Sequence, residues 1–187
     1  MRGRRIVLGV TGSIAAYKAC EIVRRFITGG FEVNVVMTAA ATAFVTPLTF
    51  RTLSRNPVWT GLFDDVAAWE PGHISLAESC DALVIAPCTA NVVAKLANGL
   101  ADDALTALAL ACRKPLLIAP AMNVAMLEHP ATEANLAVLR ERGACVLEPG
   151  TGDLACGTTD KGRMPEPAEV VARTLEMLES NESGVWR

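Results

Sequence analysis

The chain has 187 residues, 51% of them hydrophobic and 20% charged, with a formal net charge of −3, a sequence pI near 5.4 and a mean hydropathy of +0.33. That length encloses one sizeable core rather than two, and the acidic balance, offset only by the pairs Arg4-Arg5 and Arg24-Arg25, argues against a nucleic-acid partner. Charged residues interrupt each apolar stretch well before the about 18 residues that a bilayer span needs, so a soluble protein with no membrane partner is expected.

The first residues, Met1-Arg-Gly-Arg-Arg5 followed by Ile6-Val-Leu-Gly-Val10, superficially resemble a signal peptide. The apolar run is short and breaks at Thr11-Gly12 without a cleavage pattern, so it reads as a first strand, Arg5–Val10. Further β-branched runs at 32–37, 81–86, 115–119 and 144–147 predict strands, and apolar residues at helical spacing over 13–28, 89–96, 102–111, 132–142 and 167–179 predict helices between and after them. Strands joined by helical crossovers predict a doubly wound α/β fold with a mostly parallel sheet covered on both faces. The run 81–86 is apolar at nearly every position and is expected at the centre of that sheet. Residues 1–180 are read as a single domain and the polar 181–187 as a flexible tail.

Six cysteines, at 20, 80, 88, 112, 145 and 156, form no CxxC pair and no compact framework, which is cytosolic usage and predicts a cytoplasmic protein. Cys20, Cys80, Cys112 and Cys145 read as small core residues, and Cys88 as a loop residue. With only His73 and His129, no metal site is expected. Cys156 differs, because it stands in the glycine-rich stretch 149–165, Pro-Gly-Thr-Gly-Asp-Leu-Ala-Cys-Gly-Thr-Thr-Asp-Lys-Gly-Arg-Met-Pro. Four glycines there predict a mobile loop or flap, either an ordinary solvent loop or one that carries a thiol to a site.

In such folds ligands bind beyond the carboxyl ends of the strands. After the first strand, Gly12 permits a tight turn and Ser13 can cap the next helix, an arrangement consistent with a phosphate or with an ordinary capped helix. The stretch has neither the full GxGxxG spacing nor a GK[ST] ending, which counts against an NAD-dependent dehydrogenase and a P-loop. Thr38 follows the second strand, again at a helix entrance. Beyond the central strand, Pro87-Cys-Thr-Ala-Asn91 puts Thr89, Ala90 and Asn91 at another helix start, so that two phosphate-ready ends flank one crevice. Asp102 and Asp103 are expected to serve at least in part as helix caps. After the fourth strand, Asn123 within Ala119-Pro-Ala-Met-Asn-Val-Ala-Met126 is either a helix cap or an anchor for a carboxylate.

Taken together, Gly12-Ser-Ile-Ala-Ala-Tyr-Lys18, Gly72-His-Ile-Ser-Leu-Ala77, Pro87-Cys-Thr-Ala-Asn91, Pro120-Ala-Met-Asn-Val-Ala-Met126 and Ala155-Cys-Gly157 with Gly162-Arg-Met164 resemble, in order and spacing, the flavin-dependent cysteine decarboxylases. The match runs from Arg5 to about Glu179 and is greatest with the branch that acts on 4'-phosphopantothenoylcysteine in coenzyme A biosynthesis. The resemblance implies a flavodoxin- or Rossmann-like flavoprotein that forms a homotrimer, often assembled into a dodecamer, with sites at protomer boundaries and a phosphopantothenate-cysteine ligase as partner or fused domain. It also implies FMN held by Gly12, Ser13, Ile14, Thr38, Phe44, Thr89, Ala90, Asn91, Ala121 and Met122. His73 and Cys156 would be catalytic, and Asn123, Met126 and Ala155 would hold the substrate. The implied reaction is oxidation of the substrate thiol to a thioaldehyde, loss of carbon dioxide, and re-reduction of the ene-thiolate to 4'-phosphopantetheine.

The pattern is not complete, because Leu127 stands where relatives commonly carry an aromatic residue. The chain also stops near residue 187 without a ligase domain, as a stand-alone enzyme or a first domain would. A peptidyl-cysteine decarboxylase of the lantibiotic type would share His73 and Asn123, although Ala155-Cys-Gly157 favours the coenzyme A branch. A non-enzymatic FMN-binding regulatory subunit would not require His73 and Cys156 together. A flavin prenyltransferase fits the Gly72-His-Ile and Pro120-Ala-Met-Asn motifs poorly.

Overall fold

The computed structural model describes residues 3–62, 72–153 and 159–180, with the backbone alone at Gly72, His73, Asp153, Thr159 and Asp160. Six strands, β1 (Arg5–Val10), β2 (Glu32–Met37), β3 (Val58–Trp59), β4 (Ala82–Cys88), β5 (Leu116–Pro120) and β6 (Cys145–Val146), form one sheet. Their order is β3-β2-β1-β4-β5-β6, and every pairing is parallel. The chain runs outward from β1 to β3 on one side and from β4 to β6 on the other, so the direction of winding reverses between β1 and β4. All seven residues of β4 are buried, as a central strand covered on both faces requires.

Alternate strand residues point to opposite faces and build two cores. On one face Ile6, Leu8 and Val10 of β1 and Val33, Val35 and Met37 of β2 meet α1 (Ala16–Thr28) and α8 (Pro167–Glu179). Helix α1 buries Ala16, Ala19, Ile22, Val23 and Phe26, one stripe at a 3.6-residue period. Truncating the fully buried Phe26 to alanine would cost about 3–5 kcal/mol. On the other face Val7, Leu83, Ile85, Leu116 and Ile118 pack on α4 (Ala90–Asn98) and α5 (Ala104–Ala111).

The five predicted strands and five predicted helices are all present, with ends displaced by a few residues where local chemistry decides. Helix α1 begins at Ala16 rather than at 13, with Ala15 as its N-cap and no side-chain cap. Helix α7 (Pro130–Glu141) starts before the predicted 132, because Pro130 has no N–H to lose at a helix start and the His129 side chain accepts the Ala131 amide. Asp103 caps α5 in a reciprocal pair with Thr106, while Asp102 forms a 2.7 Å ion pair with Lys95 that holds its carboxyl below the usual range.

Several elements were not read from the sequence: β3, a 3-10 turn at Ala39–Ala43, and the helices α2 (Pro47–Ser54), α3 (Gly72–Ser79) and α6 (Val124–Leu127). Two expectations need correction. Cys88 is not in a loop but ends β4, fully buried. The stretch 149–165 is not only a loop, because β7 (Gly150–Asp153) and β8 (Thr159–Arg163) within it pair antiparallel as a separate two-stranded sheet. Among the described residues no helix is long and apolar enough to cross a membrane.

Candidate active site

The carboxyl ends of β1 and β4 meet at the switch point, and one side chain ties them together. Thr11, fully buried, donates its hydroxyl to the Pro87 carbonyl at 2.8 Å and accepts the Thr89 amide at 3.1 Å. Sequence reasoning passed over Thr11; its signal was a hydroxyl directly after an apolar strand. The neighbouring strand ends are drawn to the same place. The Thr38 amide donates to the Val10 carbonyl at 3.0 Å, and the Ala121 amide to the Cys88 carbonyl at 3.0 Å. The loops after β1, β2, β4 and β5 thus form one connected rim.

Gly12 is set by close approach. A Cβ there would stand 2.5 Å from the Ala40 Cβ and 3.1 Å from the Ala40 carbonyl carbon, so only glycine lets the 3-10 turn lie against the loop after β1. Ser13 does not cap α1 in the expected way: its hydroxyl accepts the Ala15 amide at 3.3 Å and its carbonyl the Ala16 amide at 2.9 Å. Thr89 is the N-cap of α4, its hydroxyl accepting from Val92 at 3.5 Å, and Ala90 and the exposed Asn91 occupy the first turn. Neither α1 nor α4 has an acidic residue in its first turn. The positive dipole end of each helix is therefore not offset by a carboxylate of its own first turn, which favours an anion such as a phosphate.

The rim also carries surface that is costly to leave bare. The Thr38 hydroxyl is buried with no hydrogen-bond partner among the described residues, a state that polar groups rarely keep without a ligand or water. Ile14 and Phe44, 57% and 49% exposed, stand on the two loops that Gly12 and Ala40 bring together. Two anion-ready helix starts, an orphaned hydroxyl and two exposed apolar side chains fit a planar ring system carrying a phosphate.

Beyond β5, Asn123 is the N-cap of α6, its Oδ1 accepting the Ala125 amide at 2.9 Å. That bond orients the side chain so that Nδ2 is its other, donating end. Of the two alternatives for Asn123, the cap is present, and it is compatible with an anchor. Met122 is half-buried and Met126 is 49% exposed. Leu127 is buried in the same core cluster as residues of α4 and α5, so the departure from the usual aromatic residue changes packing beneath the loop.

The hairpin of β7 and β8 docks on this loop. The Met122 amide donates to the Gly162 carbonyl at 3.1 Å. Gly162 has φ +132°, and a Cβ on it would collide with the Met122 carbonyl oxygen, so glycine is required twice over at the contact. At the far end of β8, Glu166 forms a 2.7 Å ion pair with Lys18 of α1, and Lys18 holds the Glu166 carboxyl below its usual range. Ala155 and Cys156 lie in the connection 154–158 between the paired strands, outside the described residues. His73 is the second residue of α3, its side chain likewise outside the description, and so is the tail 181–187. Burial pushes the Cys88 thiol up, which makes it a poor nucleophile although it adjoins the crevice.

A family model described as Flavoprotein matches residues 1–179. The chain belongs to the Flavoprotein family. Its curated relatives include the coenzyme A biosynthesis bifunctional protein CoaBC of Bacillus subtilis (strain 168), 47% identical over 171 residues, which are 91% of this chain and 42% of that protein. The CoaBC protein of Mycolicibacterium smegmatis (strain ATCC 700084 / mc(2)155) is 48% identical over 176 residues, 94% of this chain and 42% of the relative. The chain thus spans about two fifths of the length of these relatives.

Among solved structures it is similar to a PPC decarboxylase mutant complexed with pantothenoylaminoethenethiol, with a TM-score of 0.86 and 34% identity over 95% of this chain and 100% of that one. It is also similar to the FMN binding protein AtHal3, with a TM-score of 0.82 and 34% identity over 96% of this chain and 98% of that one. The expected doubly wound α/β fold is borne out, and a flavin is the cofactor this family membership brings.

Proposed function

We propose that this flavoprotein binds FMN and decarboxylates 4'-phosphopantothenoylcysteine to 4'-phosphopantetheine. The observation that carries the reading is the docking of the Gly162 strand on Met122, which fastens the hairpin bracketing Cys156 to the loop of Asn123 and Met126. In this reading the Cys156 thiol, the Asn123 amide and the flavin crevice would act on one substrate. The relatives named as coenzyme A biosynthesis proteins and the likeness to PPC decarboxylase support the same reading.

In this proposal the FMN phosphate lies at the starts of α1 and α4, held by Gly12, Ser13, Thr89, Ala90 and Asn91. The Thr38 hydroxyl, Ile14, Phe44 and the Ala121-Met122 backbone flank the ring. Bound FMN would supply a two-electron store, filled at the thiol end of the substrate and emptied again at the end, so that the overall reaction is redox-neutral loss of carbon dioxide. Everything else falls to the chain. Asn123 Nδ2 donates to the substrate carboxylate until it leaves, with Met126 and Ala155 closing on the substrate. His73 moves a proton during thiol oxidation or decarboxylation. Cys156, as a thiol, gives a proton to the ene-thiolate. Closure of the hairpin over the substrate would keep water from the thioaldehyde.

The exposed apolar side chains Ile14, Tyr17, Phe44 and Leu48 suit burial between protomers, and we include self-association as a homotrimer, or as a dodecamer built from such trimers, in the proposal. A phosphopantothenate-cysteine ligase, as a separate chain or a further domain, would supply the substrate. The test is to purify the protein, record its visible spectrum, and incubate it anaerobically with 4'-phosphopantothenoylcysteine while following carbon dioxide and 4'-phosphopantetheine by mass spectrometry. Both products are expected. A yellow protein that ignores this substrate would sink the assignment and direct the search to peptides ending in cysteine, or to a regulatory role.

A further inference from the structure

A pair of thiols lies outside the site, where helices give way to strands at the opposite, amino-terminal edge of the sheet. Cys80 follows α3 and precedes β4; Cys112 follows α5 and precedes β5. Their sulfurs are 3.7 Å apart, and both residues are buried, at 1% and 2% exposure. Each is held by its helix: the Cys80 amide donates to the Leu76 carbonyl at 3.1 Å and the Cys112 amide to the Leu108 carbonyl at 2.9 Å. A disulfide needs its sulfurs at about 2.05 Å, a gap that rotation of the two side chains and a small shift of one helix end can close.

An open groove of about 540 Å³ is lined by Ile74, Ala77, Glu78, Ala111, Arg113 and Lys114, residues of the two segments that carry the pair. Four of these flank the cysteines in sequence: Ala77 and Glu78 stand just before Cys80, and Ala111 and Arg113 adjoin Cys112. Two cations against one carboxylate give the groove a positive balance.

We propose that Cys80 and Cys112 form a dithiol–disulfide site, oxidised by small anionic disulfides that dock in the groove beside Arg113 and Lys114. The two sulfurs have different parts. The two thiols share one hydrogen bond in which either sulfur can donate; with Cys80 as the donor and the Lys114 charge nearby, the Cys112 thiol is drawn down against the opposing effect of burial, while the Cys80 thiol is pushed up. Cys112, as thiolate, attacks one sulfur of the incoming disulfide and releases the other half as a thiolate. Cys80 then loses its proton and attacks the Cys112 sulfur, releasing the second half. Two protein thiols and one small disulfide become one protein disulfide and two small thiols, with electrons and protons balanced. The cross-link would staple α3, whose second residue is His73, to α5.

The test uses the reduced full-length protein under native conditions with glutathione disulfide as the probe. Remaining thiols are blocked with N-ethylmaleimide before denaturation and peptide mapping. The expected result is a Cys80–Cys112 cross-linked peptide, lighter by two hydrogens and reversed by dithiothreitol. Lys114→Gln should slow its formation several-fold with glutathione disulfide but not with the cationic disulfide cystamine. Recovery of Cys80 and Cys112 as thiols while Cys20 or Cys145 has reacted would overturn the site. Equal slowing with both reagents, or none with either, would overturn the groove as the route of entry.

Discussion

Thr11 and Thr89 are joined by a buried hydrogen bond, the Thr89 amide donating to the Thr11 hydroxyl at 3.1 Å while that hydroxyl donates onward to the Pro87 carbonyl at 2.8 Å. One side chain thus sets the spacing of the two strand ends between which the crevice opens. Thr11→Val keeps the shape but strands a buried N–H and a buried carbonyl, at a cost of about 1–3 kcal/mol. Thermal unfolding should register that loss, and flavin retained through gel filtration should fall with it. Thr11→Ser should restore both; an unchanged valine variant would remove Thr11 from the frame of the site.

Asn123 caps α6 and, in the proposed reaction, also holds the substrate carboxylate, two roles that substitution can separate. Asn123→Asp keeps an oxygen to accept the Ala125 amide but replaces the donor with a charge that repels a substrate carboxylate. Stability should stay within about 0.5 kcal/mol, whereas kcat/KM for the proposed substrate should fall by at least about 100-fold. Asn123→Ala should lose the cap as well, costing about 1 kcal/mol. An aspartate variant that turns over normally would leave Asn123 as a cap alone.

Gly162 carries the junction between the hairpin and the Met122 loop. In Gly162→Ala the Cβ meets the Met122 carbonyl oxygen at a φ of +132°, and relief of that clash should detach the strand at a cost of about 1–3 kcal/mol. Amide hydrogen exchange should show the Met122 N–H losing protection. In the proposed reaction carbon dioxide release should then persist better than product formation.

Cys156→Ser addresses the last step of the proposed reaction. A serine hydroxyl is a far weaker acid than a thiol, so oxidation and decarboxylation should proceed and the ene-thiol product should accumulate, read by mass as one equivalent of carbon dioxide without 4'-phosphopantetheine. Normal turnover by that variant would remove Cys156 from the mechanism.

The Lys18–Glu166 pair predicts a pH dependence. The Glu166 carboxyl is lower in the folded protein than in the unfolded chain because of Lys18. Its contribution is therefore fully present above the ordinary glutamate value of about 4.3 and is lost as the pH falls through the lowered folded value. Glu166 is 66% exposed at its side chain, which limits the pair to about 1 kcal/mol or less. Glu166→Gln should be slightly less stable than the parent at pH 7 and converge with it near pH 3; a constant difference across that range would remove the ion pair as its source.

Hydrophobic periodicity is a local property, and what it encodes was legible from the chain alone. The unbroken apolar run at 82–86 announced a central strand, the stripe from Ala16 to Phe26 announced a helix on one face, and the order of the motifs announced a flavin fold. Tertiary structure was needed wherever the deciding partner is distant in sequence. Thr11 matters because of Pro87 and Thr89, 76 and 78 residues away, and Gly12 because of Ala40. Gly150–Asp153 and Thr159–Arg163 pair as strands although glycine disfavours them locally, and Gly162 is fixed by its contact with Met122, 40 residues away. Cys80 and Cys112, two small core residues by sequence, face each other only because parallel strands bring the ends of α3 and α5 to one edge of the sheet.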